Sequence, residues 1–215
     1  MSPSAGVPTP PAPGLIKPLT TVWPAGKIMR RCHPSTFGAT EFNPRARTPG
    51  RFRPVRLGKR VVPTLYAADE ISGAISETVF HDVPIDAPTK MVRIGRFEIA
   101  LLSTIAPKRD LTLIRLHGNG FHRVRASRSQ LIESEADCYP QLAAWGQALR
   151  DSSVRPDGLL WRSRQYDDSY ACVLFGDRVR RVDLGVVKPS LPLALGHGLE
   201  LVEEIAEEAG ITVLS

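Results

Sequence analysis

The chain has 215 residues, of which 42% are hydrophobic, and a formal net charge of +6. This composition excludes a chain that is disordered throughout, and the length is typical of one domain with a sizeable core. No run of about 18 or more apolar residues occurs, and the first residues lack the charged start and apolar block of a secretory signal. We therefore expect a cytoplasmic protein without membrane spans.

The cysteines and histidines show neither a disulfide nor a metal-binding pattern. The three cysteines are far apart and form no CxxC pair, which indicates reduced thiols. The five histidines are scattered, whereas a zinc site needs clustered ligands. We therefore predict no metal.

The chain begins with a segment rich in proline and small residues. Residues 1–26 are therefore predicted to form a flexible, extended tail, followed by a single domain over 27–215. The pattern at 27–33 predicts a short strand. Residues 35–59 are rich in Pro, Gly and Arg, which predicts a long loop, and long loops inside compact domains are often functional.

The rest of the chain alternates between predicted strands and helices. A β-branched, apolar segment at 61–67 predicts a buried strand, and Asp69 can cap the helix that follows, with Glu77 on its polar side. Further elements are predicted as strands at 91–94, 96–102 and 111–116, a loop with a short helix at 118–136, a helix from Pro140 to about 150, paired antiparallel strands at 159–162 and 170–175, and a helix at 199–209.

Cationic residues crowd one part of the predicted loop. They are Arg45, Arg47, Arg51, Arg53, Arg56, Lys59 and Arg60. Arginine presents a planar fork of donors that matches phosphate oxygens, so this loop can hold a diphosphate. Arg51 stands between Gly50, which lets the backbone approach a ligand closely, and Phe52, which can anchor the loop. The alternative is a solvated surface loop.

Tyr66, Glu77 and Ser163 each have a structural and a functional interpretation. Tyr66 is either a core aromatic or a platform for a base or a cationic pyridinium. Glu77 is either a solvated helix residue or a carboxylate that stabilises positive charge developing on a ribose. Ser163 shares a strand face with Leu159 and Trp161, where a buried hydroxyl needs a partner.

Arg30 and Arg31 are neighbours on the first predicted strand and therefore point to opposite faces. One of them is directed inward, and a buried guanidinium without an anion is unfavourable. An inward-pointing arginine at this position is therefore a candidate ligand-binding residue. His33 lies on the same face as Arg31, either as a second polar group or as a structural histidine.

These residues occur in an order that resembles the RES-domain family over about residues 27–185. The segments are Arg31, GRF with Arg51, LYAADEISGAISETVFHD with Tyr66 and Glu77, and YPQLAAWGQALRDSSVRPDGLLWRSRQ with Ser163. The resemblance implies an α+β fold, with mixed or antiparallel sheets flanked by helices, similar to the ADP-ribosyltransferase toxins. It also implies a toxin of a bacterial toxin–antitoxin pair, whose partner is a cognate antitoxin, of helix-turn-helix type by family analogy.

The resemblance further implies that NAD+ is consumed by phosphorolysis or hydrolysis of the nicotinamide–ribose bond. Arg31 and Arg51 would bind the phosphates, Tyr66 would pack beside nicotinamide, and Glu77 and Ser163 would hold the reacting ribose. The chain departs from the family in having Phe52 where the loop often has tryptophan, and in its Pro-rich N-terminus. Neither departure removes a proposed active residue.

The chemistry of NAD+ is consistent with this set of residues. Nicotinamide leaves as a neutral molecule from a cationic bond, so the enzyme mainly has to stabilise an oxocarbenium-like ribose and place an acceptor, inorganic phosphate or water. Two alternatives stay open. One is a mono-ADP-ribosyltransferase that modifies a protein target. The other is a basic nucleic-acid-binding module that uses the loop at 45–60, although Phe52 is its only interleaved aromatic residue.

Overall fold

The computed structural model describes residues 6–44 and 50–215, in which strands and helices alternate. The strands are β1 (Thr20–Trp23), β2 (Met29–Pro34), β3 (Val55–Leu57), β4 (Arg60–Val62), β5 (Thr64–Ala68), β6 (Met91–Arg93), β7 (Ala100–Pro107), β8 (Leu111–Leu116), β9 (Gly158–Arg162), β10 (Tyr170–Phe175), β11 (Leu184–Pro192) and β12 (Thr212–Leu214).

The helices are few and mostly short. They are α1 (Ile71–Ser76), α2 (Gly120–Val124), α3 (Arg128–Leu131), α4 (Tyr139–Arg150) and α5 (Gly196–Glu208), with 3-10 turns at Pro13–Leu15, Ile94–Arg96, Ala136–Cys138 and Arg181–Asp183. Within residues 6–44 and 50–215, no helix has both the length and the apolar character needed to cross a bilayer.

A mainly antiparallel sheet of eight strands organises the described residues, in the order β1-β8-β9-β10-β5-β2-β7-β11. β8 and β9 are parallel, and every other neighbouring pair in this sheet is antiparallel. β3 and β4 form a separate hairpin, and β6 pairs with β12 in parallel. The predicted α+β class is therefore confirmed.

Apolar side chains cover both faces of the sheet because successive residues of a strand point to opposite sides. On one face, Ile114 of β8 packs in a cluster with Trp161 of β9 and Trp145 of α4. On the other face, Leu113 packs in a second cluster with Met29 of β2. The central strands are therefore held between two apolar layers and can present polar side chains at defined positions.

Local chemistry divides the predicted strand at 61–67. Proline has no backbone N–H to donate to a neighbouring strand, so β4 ends before Pro63 and β5 begins after it.

The predicted cap of α1 is also wrong. The carboxylate of Asp69 instead accepts hydrogen bonds from Ser169 Oγ and Tyr170 N, both at 2.7 Å, and the N-cap residue is Glu70.

Part of the N-terminal segment, which was predicted to be a tail over 1–26, packs against the rest of the described chain. Ile16 is only 1% exposed, and the carbonyl oxygen of Pro8 accepts a hydrogen bond of 2.7 Å from Trp145 Nε1. β1 then pairs with β8 at the edge of the sheet. Apolar residues that are scattered among the prolines are thus buried in the core. Residues 1–5 lie outside the described residues.

Candidate active site

A cavity of about 450 Å³ lies over the central strands β2, β5, β10 and β9. Its floor is a cross-strand row in which Arg30 pairs with Ala68, Ala68 with Ala171, and Ala171 with Trp161. Residues paired in this way share one face of the sheet. The two alanines leave space between the larger side chains, and the resulting volume is in the range of small-molecule sites.

The segment Gly50–Arg53 forms one wall of the cavity, where packing holds it in a strained backbone conformation. Phe52 has a φ of 65°, a left-handed conformation that bulky residues rarely adopt. Its buried ring lies 5.5 Å from the ring of Trp161. Gly146 of α4 permits close contact, since a Cβ there would lie 2.8 Å from the carbonyl carbon of Phe52. This packing directs Arg51 and Arg53 to the cavity.

Arg51 is a buried cation with partners on its outer side. It is 6% exposed, and its guanidinium donates to the carbonyl oxygens of Leu131 at 2.9 Å and Ser134 at 3.2 Å. Burial lowers the pKa of Arg51, whereas Tyr139 and the Glu77 carboxylate act in the opposite direction. The two backbone acceptors leave other donors of the guanidinium for a ligand in the cavity.

Glu77 caps the C-terminus of α1, and it lines the same cavity. Its Oε1 accepts hydrogen bonds from Ser163 Oγ at 2.7 Å and from the backbone N–H of Arg164 at 2.6 Å. The fully buried Ser163 hydroxyl in turn accepts from the N–H groups of Gln165 and Tyr166. Ser163 therefore positions the Glu77 carboxylate through a hydrogen bond and does not itself line the cavity.

Tyr66 lies among the arginines and aromatic rings of the wall. Its hydroxyl donates to the carbonyl oxygen of Arg51, and its ring centroid is 6.4 Å from that of Trp161. The guanidinium carbon of Arg53 is 5.8 Å from the Tyr66 ring. Burial raises the pKa of Tyr66, so its hydroxyl stays protonated at neutral pH. The residue thus links the loop backbone to the floor of the cavity.

His81 and Tyr139 add a second polar pair to the cavity. The Nε2 atom of His81 is 2.8 Å from the hydroxyl of Tyr139, and both residues line the cavity. Burial raises the pKa of Tyr139. The amide of Gln165 donates to the carbonyl oxygens of Phe80 and His81 at 3.2 and 2.9 Å. Residues 163–165 therefore hold both the Glu77 carboxylate and the segment that carries His81.

A family model and a solved structure resemble the chain. The model of the RES domain matches residues 28–196, which is more than half of the sequence. The chain belongs to the RES domain family. No curated protein matches it. This RES domain is also similar to a chain in the crystal structure of the M. tuberculosis MbcT–MbcA toxin–antitoxin complex, with a TM-score of 0.63 and 19% identity over 87% of this chain and 92% of that chain. At this identity the similarity shows the fold alone.

Arg31 is not brought to the cavity of this RES domain, contrary to the prediction. It lies 4% exposed on the opposite face of β2, where its Nη1 donates to the carbonyl oxygens of Gly38 and Ala39 at 3.2 and 2.7 Å. Burial lowers the pKa of Arg31 to about 10. The neighbouring Arg30 lines the cavity instead. Strand alternation predicts two faces but cannot tell which one borders a ligand.

The predicted cationic loop is divided into two parts. Arg51 and Arg53 line the cavity, so they do not contribute to an external basic surface. The exposed cations of the β3–β4 hairpin are Arg56, Lys59 and Arg60. Arg45 and Arg47 lie outside the described residues. The described part of the loop therefore favours a local anion site over a continuous nucleic-acid surface.

Several cavity residues were missed in the sequence, namely Arg30, Arg53, His81, Tyr139 and Trp161. Their contacts depend on strand pairing between distant segments, which no local pattern reveals. Two cysteines also line the cavity, and burial raises the pKa of both Cys32 and Cys172 to about 12, so they remain neutral thiols. Within the described part of the chain, no group of three or more His, Cys, Asp or Glu side chains could hold a metal ion.

Proposed function

We propose that this RES domain consumes NAD+ by cleaving the bond between nicotinamide and ribose. One observation carries the proposal. The carboxylate of Glu77 is held by Ser163 Oγ and Arg164 N on the wall of a cavity that also contains arginine side chains. A fixed anion opposite several cations fits a ligand that carries both a developing positive charge and a diphosphate.

Glu77 would act on the reacting ribose. Departure of nicotinamide leaves an oxocarbenium-like carbon, and a carboxylate already fixed by two donors stabilises it without reorganisation. Arg30, Arg51 and Arg53 would supply positive charge for the diphosphate oxygens. Tyr66 would offer its ring to the cationic pyridinium before the bond breaks. Each group thus acts on a different part of the dinucleotide.

The acceptor that replaces nicotinamide is proposed to be inorganic phosphate or water. Attack by phosphate on the anomeric carbon gives ADP-ribose 1″-phosphate and nicotinamide. Attack by water gives ADP-ribose, nicotinamide and one proton. The oxocarbenium-like ribose can instead be attacked by a protein side chain, and the products distinguish these three outcomes.

Incubation of the purified protein with NAD+, with and without inorganic phosphate, tests this function directly. Free nicotinamide should appear together with ADP-ribose or its 1″-phosphate, as measured by chromatography and mass spectrometry. ADP-ribose recovered mainly on a protein would indicate a mono-ADP-ribosyltransferase instead. If no nicotinamide is released while RNA or DNA binds in a salt-dependent manner, the proposal is wrong and nucleic-acid binding is favoured.

Glu77→Gln is the variant best suited to the mechanism. A glutamine keeps an oxygen that can accept from Ser163 and Arg164 but removes the negative charge, so we expect turnover to fall by about 100-fold or more. Glu70→Gln on the exposed N-cap of the same helix is the matched control and should turn over NAD+ normally. Equal turnover by both variants would contradict the assigned role of Glu77.

We also propose that the protein acts as a cytoplasmic toxin with a cognate antitoxin, of helix-turn-helix type by the family resemblance. The solved structure with the similar fold is described as a toxin–antitoxin complex, which supports such a partner. Co-expression with a helix-turn-helix protein encoded beside this one should yield a complex in which NAD+ turnover is blocked. Failure to form the complex, or a complex with full turnover, would contradict the partnership.

A further inference from the structure

A group of cationic side chains lies on the face of the main sheet opposite the cavity. Trp161 lines the cavity, so the next residue of β9, Arg162, points to the other face. Tyr170 of β10 pairs with Arg162 and shares that face. Leu116 of β8 pairs with Trp161, so His117, one residue further along, lies beside Arg162. Three neighbouring strands therefore place His117, Arg162 and Tyr170 in one row.

The ring of Tyr170 contacts both other members of this row. The guanidinium carbon of Arg162 is 4.4 Å from the centroid of the Tyr170 ring, and the centroid of the His117 ring is 4.9 Å from it. Arg115 stands two residues before His117 and therefore lies on the same side of the sheet. Burial lowers the pKa of His117, and the charges of Arg115 and Arg162 lower it further. Both guanidinium groups are therefore close to the imidazole ring.

These side chains keep donors that no other described residue uses. Arg115 is half-buried, but its side chain forms neither a hydrogen bond nor an ion pair within residues 6–44 and 50–215. Its Nε is shielded from solvent, whereas its two Nη atoms are accessible and unpaired. Arg162 uses only Nη1 within the described chain, and this atom donates to the carbonyl oxygen of Asp167 at 3.0 Å. Accessible N–H groups of both arginines are therefore left for a ligand.

The carboxylates nearest to this group in the sequence bind elsewhere or face solvent. The carboxylate of Asp69 is bound by the turn that leads into β10, and Asp167 pairs with Arg128 at 2.9 Å. Asp168, in the same turn, is exposed and forms no ion pair within the described residues. The segment 111–132 includes four arginines and contains no Asp or Glu. The two guanidinium groups beside the imidazole therefore lack a counter-charge from the described chain, and an anion would stabilise them.

We propose that Arg115, His117 and Arg162 bind a phosphate group on this face of the sheet. A tetrahedral phosphate offers acceptor oxygens in several directions, which suits donors from three side chains, whereas a carboxylate offers two oxygens in one plane. Inorganic phosphate and the phosphate of a monoester such as AMP share this chemistry. The sheet separates the site from the cavity, so this phosphate is not the acceptor of the ribose in the proposed function.

Phosphate bound at this site stabilises the end of β9. Arg162 stands between Trp161, on the floor of the cavity, and Ser163, which holds the Glu77 carboxylate. A ligand that binds the folded protein alone stabilises it by mass action. The site therefore links the concentration of phosphate to the stability of the segment that positions Glu77.

Proton NMR of the imidazole rings in the full chain tests the site, because each ring reports on its own surroundings. Phosphate added at constant pH and ionic strength should shift the signal of His117, which is identified by its absence in His117→Gln. The signal of His197, an exposed residue of α5, should not move. An equal shift with sodium chloride, or no shift with either phosphate or AMP, would overturn the proposal.

The two ligands distinguish the source of the phosphate. If phosphate and AMP both shift the His117 signal, the site accepts esterified phosphate. If phosphate alone shifts it, the site binds the free anion. Either result supports a phosphate site on this face.

Arg115→Gln and Arg162→Gln should each weaken phosphate binding, measured from the His117 signal, by about tenfold or more, because a charge-assisted hydrogen bond is lost. Arg123→Gln is the matched control. It removes the same charge from an exposed arginine of α2, whose Nε donates to the carbonyl oxygen of Lys17 at 3.0 Å. Its phosphate affinity should stay within about twofold of wild type. Equal losses in all three variants would mean that the basic segment attracts phosphate without a defined site, and the proposal would be wrong.

Arg53→Gln separates this site from the cavity. It removes a cation that lines the cavity, so the effect of phosphate on the His117 signal should stay within about twofold of wild type. Loss of the effect would mean that phosphate acts on His117 indirectly from the cavity, which contradicts the proposal. Release of nicotinamide from NAD+ is a separate measurement, and its absence would contradict the proposed function alone.

Discussion

At the residue scale, the hydrogen bond between Ser163 and Glu77 joins two segments that are 86 positions apart. Ser163→Ala removes one of the two donors to the carboxylate and the acceptor of two backbone N–H groups. We expect the free energy of unfolding to fall by about 1–3 kcal/mol. We also expect kcat for NAD+ cleavage to fall by about tenfold or more, with a smaller change in KM, because the fixed anion is weakened.

Ser152→Ala is the control for this prediction. Ser152 is also buried and donates to the carbonyl oxygen of Leu149 at 2.6 Å, at the end of α4. The variant should lose a similar free energy of unfolding and keep full activity. Chemical denaturation and steady-state kinetics on both variants are sufficient, and a normal kcat for Ser163→Ala would show that Arg164 N alone holds Glu77.

His33 lies outside the cavity, and we expect it to make the free energy of unfolding depend on pH. Its Nε2 lies 2.7 Å from Ser103 Oγ, and burial, followed by the charge of Arg31 as a smaller cause, lowers its pKa from 6.5. Because the unfolded chain then binds more protons, the free energy of unfolding should decrease as the pH falls below about 6.5. Urea denaturation of wild type and His33→Gln between neutral and mildly acidic pH should show a smaller pH dependence for the variant. Identical slopes would contradict the prediction.

Some residues that line the cavity could be predicted from the sequence, and others could not. Glu77, Arg51 and Tyr66 were chosen from their residue types and neighbours, and the structure brings them to one cavity. Their catalytic roles stay predictions. The resemblance implied that Arg31 binds phosphate, whereas strand alternation alone cannot tell whether Arg30 or Arg31 faces the cavity. Trp161 was noted only as a neighbour of Ser163 on one strand face.

At the scale of elements, α4 acts as the support for the Arg51 loop. Gly146 lies directly against the backbone of Phe52, so a methyl group there has to displace the loop. We expect Gly146→Ala to lower the free energy of unfolding by about 1–3 kcal/mol through overpacking. NAD+ turnover should fall by about tenfold or more, because Arg51 and Arg53 move with Phe52.

The matched control for Gly146→Ala is Ala144→Gly on the exposed side of α4. Glycine in a helix costs about 1 kcal/mol relative to alanine, so this variant loses stability without touching the loop. Its NAD+ turnover should be normal. If both variants lose turnover in proportion to their stability, α4 has no specific role in placing the arginines.

Strands and helices were predicted correctly where a short stretch of sequence contains a clear pattern. β8 and β10 have the predicted bounds because each is a short, mainly apolar segment bounded by polar turns, and Pro140 marks the first turn of α4 as expected. The predicted strand at 96–102 was wrong in its first half. There the chain forms a 3-10 turn at Ile94–Arg96, and β7 begins only at Ala100, where pairing with β2 starts. Such pairing is long-range and leaves no local pattern.

At the scale of the whole molecule, we propose that residues 6–44 and 50–215 form a single folding unit that includes the Pro-rich segment. The segment packs Val7 and Ile16 against the apolar cluster that contains Trp145 and Phe52. Phe52 in turn anchors the arginines of the cavity. Composition alone predicted a tail because the apolar residues are few and widely spaced, and their burial depends on surfaces formed by distant parts of the chain.

Two adjacent residues provide a test of this folding unit. Ile16 is 1% exposed and Leu15 is 75% exposed. Ile16→Ala should therefore lower the free energy of unfolding by about 2–4 kcal/mol, whereas Leu15→Ala should change it by less than about 0.5 kcal/mol. Both should unfold in one cooperative transition in urea, monitored by fluorescence and circular dichroism. Equal stabilities of the two variants would mean that the segment is not packed on the domain in solution. If Ile16 is well packed, replacing it with alanine leaves a cavity, which lowers the free energy of unfolding.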